Sequence, residues 1–202
     1  MTWLHALDET ATALPAVWLI ASRRSPANLP ERSALRRGIA LDLIARQFSL
    51  PPEAVTIEHD EAGRPVLARP AGTGLHLSLA TRAGLVAVAL ARAPVGVDVE
   101  RIEPAVAPPL ESLHSDEREM LAMLPETARP LAFAQLWTAK EAYVKALGTG
   151  FLRPPESFAV TLLAGGRFKI DDPERPTQAL GHGLIDKNGG QGSLAAAMIV
   201  LD

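Results

Sequence analysis

The chain contains no cysteine, which excludes a disulfide framework, a thiolate nucleophile and a zinc–thiolate site. Any metal chemistry must then use oxygen or imidazole ligands. Aromatic residues are scarce, at 4%, and no basic stripe is interleaved with them, which argues against a nucleic-acid surface. Long hydrophobic runs are also missing: Leu14 to Ala21 is too short to cross a bilayer. Asp8 and Glu9 stand where a secretory leader would be basic. These absences together predict a soluble, cytoplasmic protein with no membrane or nucleic-acid partner.

What is present is enough to fold. Hydrophobic residues make up 48% of the chain and the mean hydropathy is +0.11, outside the low-hydrophobicity class that stays disordered. A length of 202 residues suits one large domain or two small subdomains. The net charge of -3 is unevenly spread: residues 1–94 carry ten basic and eight acidic side chains, residues 95–202 ten and fifteen. A basic-leaning half facing an acidic one suits an anionic ligand held near carboxylates, with a cation between them.

Pattern reading gives a mixed α+β chain with mostly antiparallel sheet. Val17 to Ala21 predicts a strand, followed by a polar turn over Ser22 to Ala27. Asn28, Pro30 and Glu31 mark a helix start, and Leu35, Ile39, Leu43 and Phe48 continue it to the stop at Pro51-Pro52. Val55 to Glu58, Leu75 to Leu79, Leu85 to Leu90 and Val95 to Glu100 predict strands, the third buried on both faces. After the proline-rich link Pro104 to Pro109, Ser115-Asp116-Glu117 predicts a capped helix to about Leu124. A longer helix follows, containing WTAKEAYVKALGTG (Trp137 to Gly150) and stopping at its glycines. Ser157 to Leu163, Arg167 to Ile170 and Ser193 to Leu201 predict strands, with Gly165-Gly166 as a hairpin signal. Asp171 to Gly192 is rich in Gly, Pro and polar residues, and its middle is expected to be mobile.

Two constellations carry chemistry. In GVDVERI (Gly96 to Ile102), strand alternation sends Val97 and Val99 to one face and Gly96, Asp98 and Glu100 to the other, placing the two carboxylates about 7 Å apart. This is either the wet face of an edge strand, paired with Arg92 or Arg101, or a divalent-cation site, since Mg²⁺ takes one or two protein carboxylates and leaves room for water and phosphate. In the long helix Trp137, Glu141 and Lys145 recur at i,i+4 and share a face with Phe133. That is either an exposed Glu–Lys pair contributing about 0.3 to 0.5 kcal/mol or a half-buried face where Glu141 needs a cation. Lys140 sits on a neighbouring face and reads as a surface charge.

Together, GVDVE and WTAKEAYVKALGTG resemble the paired signature of the 4′-phosphopantetheinyl transferases, of the broad-specificity, surfactin-synthetase-activating type. Order and separation match, with 41 residues from Glu100 to Glu141. ERSALRRGIALDLIARQFSL resembles the family's Arg-bearing first helix, EAGRPVL its Gly-Lys-Pro turn, LHLSLA its Asn-Leu-Ser-His strand and LRPPESFAV the segment after the second motif. The resemblance covers Glu31 to about Leu163.

The resemblance implies two similar subdomains, 1–94 and 95–202, each a mostly antiparallel sheet with a long helix, packed as a pseudo-dimer within a monomer. Coenzyme A would lie between them. The implied reaction moves the phosphopantetheine arm of coenzyme A to a serine of an apo acyl or peptidyl carrier protein, releasing 3′,5′-ADP. Asp98, Glu100 and Glu141 would hold Mg²⁺, or Mn²⁺. Glu141 would take the serine proton, directly or through a water, and Lys145 would stabilise the departing charge. Arg32, Arg64 and Ser78 would contact coenzyme A, Arg64 standing where the family has Lys. Arg36 and Arg37 carry no role from it, and Arg23 and Arg24 lie in a loop too short to align. The chain departs from the family at Leu79, where a histidine is expected. His76, at the family's Asn, compensates only if the strand twists, because alternation points it to the face of Ser78. Weaker coenzyme A binding, or relaxed discrimination against dephospho-coenzyme A, is the expected consequence. Two other readings stay open: a silent relative that binds without transferring, and a hydrolase using Asp98 and Glu141 as acid and base.

Overall fold

The apolar runs pair into two sheets, each covered by one long helix. The structure is a computed structural model that describes residues 1–22, 24, 26–104, 109–149, 152–186 and 192–201, with only the backbone described at 176–178. Most of the proline-rich link, Arg23 and Ser25 in the polar turn, and Gly150 at the end of the helical stop lie outside the described residues. The first sheet has the order β1 (Thr2–Leu4), β2 (Ala16–Ala21), β6 (Leu85–Ala91), β5 (His76–Arg82), with β1 parallel to β2 and the other pairs antiparallel. The second is wholly antiparallel, in the order β7 (Val95–Arg101), β11 (Leu194–Val200), β10 (Arg175–Asp186), β9 (Arg167–Asp172), β8 (Ala159–Leu162). β3 (Thr56–His59) and β4 (Pro65–Arg69) form a separate hairpin.

Local chemistry sets the helix starts. Helix α1 (Leu29–Gln47) is capped by Asn28, whose Oδ1 accepts from the Glu31 N–H at 2.9 Å while Glu31 Oε2 accepts from the Ala27 N–H, also at 2.9 Å. Helix α2 (Ser115–Met123) is capped by His114 and not by Ser115: the His114 ring nitrogen accepts from Asp116 N–H and Glu117 accepts from His114 N–H at 2.9 Å. Glu117 can reach back because it occupies the third helical position. Helix α3 (Arg129–Leu147) has proline in its first turn and ends on Gly148 at φ 70°, a left-handed conformation that favours glycine.

Three apolar clusters stack the molecule in layers. Trp18, Val86, Val88 and Leu90 meet Leu43 and Ile44 of α1. On the opposite faces of the same strands, Val17, Leu19, Ala87 and Ala89 meet Val97, Val99, Ala196 and Met198 of the second sheet. Beyond it, Ala197, Ile199, Phe168 and Ile170 pack on Leu136 and Tyr143 of α3. The order is therefore helix, sheet, sheet, helix, an α+β arrangement. Among the described residues no helix is long and apolar enough to cross a membrane.

The segment expected to be mobile is instead largely strand β10, while 187–191 lie outside the described residues. Its glycines serve packing: a β-carbon at Gly181 would enter the Phe168 ring. A second glycine governs the site. Gly96 lies so close to α3 that a β-carbon there would collide with the Ala142 carbonyl oxygen. Gly96→Ala should therefore lower stability by about 1 to 3 kcal/mol in denaturant titration. Gly38, in α1 with open space around it, should gain about 0.5 to 1 kcal/mol as Ala. Equal responses at the two positions would contradict the backbone-contact account.

Candidate active site

The close approach at Gly96 brings the polar face of β7 under α3. Gly96, Asp98 and Glu100 share that face, while Val97 and Val99 go to the inter-sheet cluster, as alternation predicts. Asp98 is buried, and its Oδ1 receives the Lys145 ammonium at 2.6 Å. Lys145 also donates to the Val97 carbonyl at 3.2 Å. The helix-surface pair Glu141–Lys145 is thus not formed; Lys145 turns inward to the strand. Glu100 Oε2 meets Arg82 Nε at 2.9 Å, so neither Arg92 nor Arg101 is the strand's partner. Glu141 lies half-buried beside them, and Phe133 and Trp137 stack one turn back at 6.1 Å between ring centres.

The charges of this cluster do not cancel. Asp98 Oδ2 is buried with no hydrogen-bond partner among the described residues. Burial raises the Asp98 carboxyl above its ordinary value and outweighs the Lys145 ammonium. Burial raises Glu100 and Glu141 too, with the Asp98 charge second in each case. An orphaned, desolvated carboxylate oxygen between two reluctant carboxylates suits a hard divalent cation. As they stand, no three His, Asp or Glu side chains among the described residues converge into a ready cage. Lys145 and Arg82 already draw Asp98 and Glu100 to themselves, so the donor set fits a cation only after Glu100 leaves Arg82.

Next to this cluster lies a cavity of about 390 Å³ bounded by Arg64, His76, Ser78 and Lys145. Arg64 comes from the β3–β4 hairpin, held by Asp60 at 2.7 Å and lying over Gly148. His76, Ser78 and Leu79 all border the cavity, although alternation assigned His76 and Leu79 to opposite faces. The reason is that β5 is the edge of its sheet, and the cavity runs along that edge. Ser78 Oγ accepts the Val97 N–H at 3.1 Å, tying β5 to β7. Arg32 is elsewhere, in a second cavity of about 340 Å³ with Arg24, Arg82 and Arg101. Arg36, one turn on from Arg32, lines the first cavity instead.

Lys140 is not a surface charge. Its side chain is 0% exposed and donates to Glu117 at 2.8 Å and to the carbonyls of Pro155 and Phe158 at 2.8 and 2.7 Å. Glu117 in turn accepts from Val160 N–H at 2.7 Å. The exposed-helix assumption fails because α3 is covered on nearly all sides, and the alanine-rich sequence gives no apolar stripe to reveal it.

Residues 94–197, about half of the chain, match the family described as the 4′-phosphopantetheinyl transferase superfamily. Among curated relatives, the 4′-phosphopantetheinyl transferase HetI of Nostoc sp. is 32% identical over 170 residues, 76% of this chain and 70% of the relative. The chain belongs to this superfamily. The 4′-phosphopantetheinyl transferase psf-1 of Bacillus pumilus is 30% identical over 148 residues, 72% of this chain and 63% of the relative. The corresponding gsp of Aneurinibacillus migulanus is 28% identical over 128 residues, 63% of this chain and 52% of the relative. The chain thus spans between about half and two thirds of the length of these last two transferases. The family match begins just before β7 and takes in Asp98, Glu100, Glu141 and Lys145; Arg32, Arg64, His76 and Ser78 precede it.

Two measurements probe this site. An acid with a raised native value keeps protons that the unfolded chain has released, so its contribution to stability falls as pH rises above the ordinary value of 4.5. Thermal midpoints of metal-free protein should show Glu100→Gln gaining on the wild type from about pH 4.5 to 7; a constant difference would remove the repulsion. Lys140→Met should cost about 3 to 5 kcal/mol by leaving Glu117 buried and unpaired. Adding Glu117→Gln should recover more than half of that loss in denaturant titration, and additive losses would exclude the pairing.

Proposed function

We propose that this chain transfers the 4′-phosphopantetheine arm of coenzyme A to a serine of an apo acyl or peptidyl carrier protein, releasing 3′,5′-ADP. The supporting observation is the incompletely neutralised cluster of Asp98, Glu100 and Glu141, with its orphaned oxygen, beside a cavity that carries Arg64, His76, Ser78 and Lys145. In this reading residues 1–94 and 95–202 form two related subdomains of a cytoplasmic monomer, with the nucleotide between them.

Mg²⁺ or Mn²⁺, held by Asp98, Glu100 and Glu141, would neutralise charge on the diphosphate. Arg64, with Arg32 as a more distant phosphate contact, binds and orients the nucleotide, and the forked guanidinium suits phosphate oxygens. Ser78 lines the cavity with its hydroxyl oxygen accepting from the Val97 N–H, and His76 borders the same edge. Glu141 takes the proton from the carrier serine hydroxyl. The serine oxygen then bonds to the phosphorus bearing the pantetheine arm as the bridging bond to the adenosine phosphate breaks. Lys145, released from Asp98, stabilises the oxygen that departs with 3′,5′-ADP.

Apo-carrier, coenzyme A and Mg²⁺ incubated with the protein and read by intact mass should show the carrier gaining one phosphopantetheine. Glu141→Gln should lower the transfer rate on the order of 100-fold or more while coenzyme A still binds. Undiminished transfer by that variant would remove the base assignment. Coenzyme A binding without any mass gain by the wild type would instead identify a silent relative.

A further inference from the structure

Three of the four arginines of helix α1, Arg32, Arg36 and Arg37, have surroundings that differ. Arg37 is fixed on the Ile57 carbonyl, and Arg32 faces the four-arginine cavity. Arg36 lines the cavity of Arg64 and Lys145, is half-buried, and makes no hydrogen bond or ion pair with any described residue. The charge it feels most is that of Arg32, one turn away and repulsive, and burial with that repulsion lowers its hold on its proton. A guanidinium partly stripped of water, with a like charge behind it and no acceptor in front, gains most from an anion in the cavity.

The position of Arg36 selects which anion. Lys145 lines the wall supplied by α3 and bonds Asp98 of the carboxylate cluster behind it, and a diphosphate must reach that wall to react. Arg36 stands on another wall, supplied by α1, with the uncharged Leu79 of β5 also lining the cavity. A ligand satisfying both walls needs a second, separate anionic group, and the phosphomonoester on the ribose of coenzyme A is such a group. We propose that Arg36 binds the ribose 3′-phosphate of coenzyme A and is the residue by which this chain prefers coenzyme A to dephospho-coenzyme A. The assignment rests on the transfer reading above and replaces the relaxed discrimination expected from Leu79 alone.

Isothermal titration of coenzyme A and dephospho-coenzyme A into the wild type and Arg36→Gln tests it. The wild type should bind coenzyme A more tightly than the dephospho form. In Arg36→Gln, coenzyme A should weaken on the order of ten- to a hundredfold with dephospho-coenzyme A nearly unchanged, closing the gap. Arg36→Lys should restore part of the preference, since the charge remains and the fork is lost. The Arg36 side chain makes no hydrogen bond or ion pair with any described residue, so the variants should keep the wild-type thermal midpoint. An unchanged preference in Arg36→Gln, or an equal loss for both ligands, overturns the assignment while leaving the transfer reading intact. Failure of the wild type to bind coenzyme A at all would sink that reading, and the assignment with it.

Discussion

The contact of the Gly96 backbone with the carbonyl of Ala142 sets the geometry of everything around it. Because no side chain stands between them, α3 lies directly on β7, and the strand's polar face is sealed under the helix. That seal raises the carboxyls of Asp98, Glu100 and Glu141, since water that would solvate them is replaced by protein. It also brings Lys145 within 2.6 Å of Asp98, two residues that are 47 positions apart in the chain.

Two buried charge systems flank this helix, and their difference separates scaffold from site. Around Lys140 every partner is accounted for: three acceptors for the ammonium, and for Glu117 a lysine, the Val160 N–H and the His114 N–H. Such a closed network pins α2, α3 and the start of β8 in one arrangement. Another buried charge system joins Tyr143 and Arg153 on Asp172 at the end of β9, with the Arg153 Nε left without a partner among the described residues. Around Asp98 the network is open, with one oxygen lacking any partner among the described residues and Glu100 and Glu141 repelled by its charge. Natural folds concentrate such unsatisfied polarity where a ligand completes it.

The arginines follow the same logic. Arg64 is paired with Asp60 and Arg82 with Glu100, and each of those arginines borders a cavity. The half of the chain with excess basic residues supplies Arg36 and Arg64 to the first cavity, and from the other half Lys145, bonded to Asp98, lines it as well.

The sequence by itself located the three long helical segments and most strands, but not β1, β4 or β10, and it put the α2 cap at Ser115 where His114 caps. Asn28 with Glu31 announced α1, the unbroken run at Leu85 announced a buried strand, and the two acidic motifs announced the superfamily. These are properties of neighbours along the chain, and local periodicity or residue identity suffices to read them. Only the tertiary structure decided that Lys145 answers Asp98 and not Glu141, and that Lys140 is buried. It also decided that Arg32 and Arg36 look into different cavities, that His76 and Leu79 share one, and that a Gly- and Pro-rich tail segment is a strand. Each of those outcomes depends on how closely separate elements approach. That distance is set by packing at positions such as Gly96 and Gly181, whose role is invisible until the neighbouring backbone or ring is in place.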